Sequence, residues 1–201
     1  MIAIGRRQFL QDGTHDTANQ EMFELLLGGD QHWDLTVANI FFRARLVAAL
    51  ALSENSQPAL VISALLVHPC QILASGCYQA GDWSSDSLYE SGTYDWLLRN
   101  FGEEIADTVR LSHAAKRFLA TVIPKYYGRQ SLPSQKLMFS EGGFMSVAER
   151  EAFCKNRFHN NAIKVVGWID KGVDRCLEVP EMSFFIPFVQ RAIVPLYPLD
   201  A

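Results

Sequence analysis

Ser112 and Lys116, in the run RLSHAAKRFL, lie four residues apart and share one face of any helix that carries them. An ammonium and hydroxyls brought together can hold an anion through charge-assisted hydrogen bonds, with no metal needed. A second stretch with chemical potential is ALLVHPCQIL, residues 64–73, where His68 directly precedes Pro69 in what reads as a buried helix. A histidine there is a metal ligand or a core imidazole, and the spacing around it must decide. Other constellations are poorer. EGG at 141–143 lacks the glycine spacing, the lysine and the strand–helix context of a phosphate loop. No Ser-His-Asp or Cys-His arrangement has local support. Glu103, Glu104, Glu149 and Glu151 read as solvated helix starts, favourable near the N-terminal dipole. Phe41, Phe42, Trp168, Phe184 and Phe185 read as core.

The elements that position these groups belong to a chain of 201 residues, with 49% apolar and 20% charged residues. Those values predict one folded domain over 1–201 with a substantial core. A net charge of −4 with dispersed basic residues argues against a general nucleic-acid binder. No window approaches the ~18 apolar residues of a membrane span. The N-terminal MIAIGRRQFLQDG has no long apolar stretch of a secretory signal. Cys70, Cys77, Cys154 and Cys176 form no CxxC pair and read as reduced, mostly buried thiols. A cytoplasmic, soluble protein is the expectation.

Strand-like alternation is almost absent, so the predicted class is all-α. Residues 1–16 read as a loose arm, the core as about 20–178, and 181–198 as an apolar C-terminal element. A first helix ends at Gly28-Gly29. The next covers 34–54, with Asp34 as N-cap and Leu35, Ala38, Phe42, Leu46, Ala49 and Leu50 at helical spacing. Another opens at Pro58, and Pro69 inside it should end or kink it near His68. Residues 77–87 read as a loop, followed by helices over 88–101 and 103–123. The stretch YYGRQSLPSQKLMFSEGGFM, 126–145, reads as one long connection. Ser146 with Glu149 makes a capping box, and a further helix covers 160–176.

HAAKRFL (113–119), a Tyr-rich turn, SLPSQ (131–135), EGGFMSVAEREAF (141–153) and GWID (167–170) occur in an order that resembles a known family. The chain is similar, over about residues 35–175, to the HD-domain proteins of organophosphonate breakdown. These are mixed-valent di-iron oxygenases related to inositol oxygenase. The resemblance implies an HD-like helical bundle and a pair of irons held by histidines and aspartates, donors that suit iron. It also implies which residues stand at those ligand positions here. Arg43, Val67, Ser112 and Tyr89 fall at histidine positions, Gln71 at a further one, and His68 and Ile169 at aspartates. Val166 falls where a substrate-binding arginine is usual. His68 and His113 each miss a histidine position by one residue, and one residue rotates a helix position by ~100°. Both are therefore expected to be structural, and neither metal nor cofactor is expected.

The same resemblance implies that Lys116 contacts a substrate phosphonate and that Ser131 and Ser134 match serines of a substrate loop. Arg43 either adds a second cation or fills the space left by iron and pairs with Glu90 or Asp170. The leading expectation is a metal-free, non-oxygenase HD-like protein that binds a small phosphonate- or phosphate-like anion through Lys116, Ser131, Ser134, Arg43 and Ser112. The alternatives are a non-catalytic partner or structural subunit, with a self-associating homo-oligomer as one version, motivated by MSFFIPFVQRAIVPLYPL, and an enzyme with a relocated metal site at His68, His113, Glu90 and Asp170.

Overall fold

An apolar run with no polar face must be surrounded, and Leu60 through Val67 is such a run. The computed structural model of the chain describes residues 35–75, 92–172 and 178–193, and puts that run at the centre of a helical bundle. Helix α1 spans Leu35–Ser53 and α2 spans Pro58–Ser75. Next come α3 (Thr93–Arg110), α4 (Ser112–Val122), the single turn α5 (Tyr126–Arg129) and α6 (Leu132–Ser140). The bundle is completed by α7 (Val147–Lys155), α8 (His159–Gly172) and α9 (Met182–Ala192). Among the described residues there is no strand, as the all-α expectation requires.

Two hydrophobic cores share one helix. The larger gathers α1, α2, α3 and α9 around buried Phe41, Leu50, Leu65, Leu97 and Phe185. The smaller gathers α4 and α7 around Leu111, Ala115, Leu119 and Phe153. Helix α8 supplies Val165 and Trp168 to the first and Ala162 and Val166 to the second. Alanines at 44, 48 and 51 on α1 are fully buried, so α2 can approach closely. At the end of α8, a Cβ on Gly172 would come within 3.3 Å of Leu46 Cδ2, so glycine suits the contact with α1.

Several boundaries differ from expectation, each for a local reason. Pro69 neither ends α2 nor shortens it; the helix continues to Ser75. An interior proline costs roughly 3 kcal/mol, which the burial of Leu60 through Val67 offsets. The break between the helices expected over 88–101 and 103–123 is real, because Gly102 adopts φ 78°, ψ 173° inside α3. The second of them is then cut at Leu111, where ψ relaxes to −5°. The stretch 126–145 is not one long connection: it holds α5 and α6. Ser131 caps α6, accepting from Ser134 N, and Pro133 sits in its first turn, so local capping rather than periodicity makes this helix. The two phenylalanine pairs split. Phe41 and Phe185 are buried, whereas Phe42 and Phe184 are about half exposed. Cys70 is buried and Cys154 exposed. The arm, the first helix, Asp34 and the loop 77–87 lie outside the described residues, as do Cys77 and Cys176.

Candidate functional site

His68, on α2, lies within electrostatic reach of groups on α1 and α4. It lies partly buried near the end of the apolar run of α2, and burial pushes its pKa down to about 4. Arg43 on α1 and Lys116 and His113 on α4 deepen that shift, in that order, so all three stand close enough to repel a proton from it. The imidazole is neutral at pH 7, with the charges of Arg43 and Lys116 acting on it. Arg43 itself is exposed.

His113 is buried, and its Nδ1 lies 2.5 Å from Glu141 Oε1, with both side chains less than a tenth exposed. Glu141 reaches it from a turn built on two glycines with positive φ, Gly142 at 101° and Gly143 at 66°. Arg117, one residue after Lys116, fastens that turn. Its Nε donates to Gly143 O at 2.8 Å and its Nη2 to Gly142 O at 3.4 Å and Glu149 Oε1 at 2.6 Å. Gly142 suits its place because φ 101° strains any side chain there, and a Cβ would also lie 3.1 Å from Arg117 Nη2. Glu149 is thus more than a solvated helix start. It closes the capping box with Ser146 and pairs with Arg117, and the Ser146 backbone N–H leads in holding its pKa down at about 2.

Lys116 Nζ lies 3.6 Å from Asp170 Oδ1 on α8. The other oxygen of Asp170 accepts from Tyr126 Oη at 2.5 Å and from Gln130 Nε2 at 3.4 Å. Burial, followed by the Asp170 hydrogen bond and charge, raises the Tyr126 pKa well above the usual phenol range, so Tyr126 stays protonated and donates.

The expected site residues therefore separate. Arg43 and Lys116 converge on His68. The Ser112 hydroxyl donates back to the end of α3, to Val109 O at 2.7 Å, so as placed it offers no proton to an anion. Ser131 donates to Ser134 Oγ at 3.1 Å and accepts from Ser134 N, so this serine pair acts as a helix cap. Arg43 does not pair with Asp170, whose oxygens go to Lys116, Tyr126 and Gln130. Tyr89 and Glu90 lie outside the described residues. Glu141, Tyr126 and Gln130 were not anticipated. Glu141 had one sequence signal, its place directly before Gly142-Gly143.

No protein-family model matches the chain. Comparison with curated proteins is more informative. Over 151 residues, 74% of this chain, it is 31% identical to a [1-hydroxy-2-(trimethylamino)ethyl]phosphonate dioxygenase (glycine-betaine-forming) of Leisingera caerulea, covering 76% of that protein. The chain belongs to the phosphonate dioxygenase family. A hydroxymethylphosphonate dioxygenase of Gimesia maris is 30% identical over 116 residues, 58% of this chain and 56% of that protein. The resemblance read from 35–175 is thereby upheld, together with the all-α HD-like architecture.

Dioxygenases of this family bring the expectation of a metal centre, and the donor set here can be compared with it. Among the described residues, no group of three or more His, Cys, Asp or Glu comes together in a way that could hold a metal ion. Around His68 stand a guanidinium, an ammonium and a second imidazole tied to Glu141. Val67, at the position the resemblance gives to a histidine, is fully buried hydrocarbon, and Ile169 packs against the larger core. The described residues do not by themselves supply a donor set that fits a pair of irons.

Proposed function

We propose that this member of the phosphonate dioxygenase family binds a small phosphonate- or phosphate-like anion beside His68 without holding a di-iron centre. The observation that carries this reading is the convergence of the Arg43 and Lys116 charges on a neutral, partly buried His68. A cation entering there meets like charge, whereas an anion relieves it. Lys116 provides the principal charge-assisted hydrogen bond and Arg43, at the exposed side, draws the anion in. His113, fixed through Nδ1 by Glu141, keeps one ring orientation. Ser131 and Ser134 shape the start of α6 and are not the donors on which affinity depends.

The test has two parts. Protein purified without chelator is analysed for iron, manganese and zinc, with the expected result far below one ion per chain. Inorganic phosphate and hydroxymethylphosphonate are then titrated by calorimetry against the wild type and Lys116→Ala. Loss of one charge-assisted bond should weaken binding by about 1.5–3 kcal/mol, or roughly 10- to 150-fold. Stoichiometric iron, or ligand binding indifferent to Lys116→Ala, would overturn the reading. The names of the relatives favour a second one, in which the chain is itself an oxygenase and residues outside those described complete the donor set. Stoichiometric iron together with oxygen consumption on a phosphonate would establish it.

A further inference from the structure

Lys116, the cation on which the proposed anion site depends, already faces a carboxylate. The Lys116 and Asp170 side chains are 22% and 24% exposed, and their 3.6 Å separation is loose. A charge-assisted N–H···O bond would close to about 2.7–2.9 Å. Asp170 is held on its other side. Tyr126 Oη donates to Oδ2 at 2.5 Å and Gln130 Nε2 at 3.4 Å. Both donors come from α5 and its C-terminal cap, so one helical turn braces the carboxylate away from the ammonium.

We infer that Asp170 is an internal counterion of Lys116, held back by Tyr126 and Gln130 at a distance from which an incoming anion displaces it, and that this brace sets the affinity of the site. The inference rests on the anion-binding reading above. Two anions sharing one ammonium repel each other, and the repulsion is stronger in a partly buried place than in water. The ammonium can turn to a ligand because its contact with Asp170 is weak, and the contact is weak because Oδ2 is occupied. When no ligand is bound, Asp170 offsets the positive potential around His68. When a ligand is bound, the carboxylate remains anchored by the phenol and the amide rather than left unsatisfied.

The experiment is phosphate titration of the full chain at pH 8 by calorimetry, for the wild type and three variants. Asp170→Asn keeps the shape and an acceptor for Tyr126 but removes the charge, so phosphate should bind about tenfold more tightly. Tyr126→Phe frees Oδ2, the carboxylate turns onto Lys116, and binding should weaken about threefold. In the double variant the phenylalanine should have no further effect, because no carboxylate remains to restrain. A merely structural role would weaken binding in all three. Gln130→Ala, at a partly buried surface, should act in the same direction as Tyr126→Phe and stands in for it if that variant loses its cooperative thermal melt. Weaker or unchanged binding by Asp170→Asn, or additive effects in the double variant, overturns the inference and leaves the anion site standing. Binding by Asp170→Asn where the wild type shows none supports it. No binding by any protein, indistinguishable from Lys116→Ala, removes the anion site and this inference with it.

Discussion

His68 answers to two influences that act in the same direction. Desolvation penalises its charged form, and so do Arg43, Lys116 and His113 in turn, which is why its pKa lies near 4 rather than 6.5. The unfolded chain therefore binds more protons than the folded one between those values. Stability is complete above pH 6.5 and falls as the pH drops toward about 4, by an amount on the order of 3 kcal/mol over the whole window. The acidic groups with resolved shifts act in a lower range. Burial tends to raise the Asp107 carboxyl, but Arg110, Asn156 and Tyr94 bond to it and outweigh that, leaving it below its ordinary 3.8. Urea denaturation in phosphate-free buffer should show the wild type losing about 2 kcal/mol more than His68→Gln between pH 7 and pH 5. Equal losses in the two proteins would mean that the imidazole is not held neutral. A bound anion should reduce this loss, because it offsets the charges of Arg43 and Lys116.

Elements were legible where their own residues decide them, and Gly102 is a clear instance. At φ 78°, ψ 173° it occupies a region open essentially to glycine alone, and it lets α3 change direction while Phe101 and Ile105 stay in one core. Gly102→Ala should cost about 1–3 kcal/mol by chemical denaturation, with an unchanged denaturant slope. A loss within ±0.5 kcal/mol would show that the kink tolerates a Cβ. Helix α2 was readable at its start, where Pro58 opens it, but not at its end. Pro69 argued locally for a stop or kink near His68, and the helix runs on to Ser75. The face of α1 was misjudged at Phe42 and right at Leu46 and Leu50: the buried side runs through Phe41, Ala44, Val47, Ala48 and Ala51 as well, which leaves Phe42 half exposed. Helices α5 and α6 were missed, since a single turn and a nine-residue helix with mostly exposed faces leave no periodic trace. The site divides the same way. Lys116 could be found from its family pattern and local spacing, whereas its partner Asp170 and the brace from Tyr126 join positions 44 residues apart, a pairing no local pattern encodes.

Across the whole molecule, α8 decides whether the two cores are one cooperative unit. Its residues alternate between them: Val165 and Trp168 face the larger core, Ala162 and Val166 the smaller, and Asp170 at the same helix reaches Lys116 and Tyr126. Neither core can lose its packing without stripping one face of a helix the other still needs. Trp168 is 2% exposed and among the largest fully buried side chains, so Trp168→Ala should destabilise the protein by about 3–5 kcal/mol. If α8 couples the cores, the loss is global. Far-UV circular dichroism, which reports all helices, and phosphate binding, which reports the α4–α8 region, should fail at one urea concentration in both the wild type and Val166→Ala. Val166→Ala removes a buried side chain from the smaller core alone, yet the larger core, which carries α1, α2 and α9, should unfold with it. A biphasic helical transition, with phosphate binding lost in the first phase and most helix retained, would instead mark two units that fold separately and place the anion site in the weaker one.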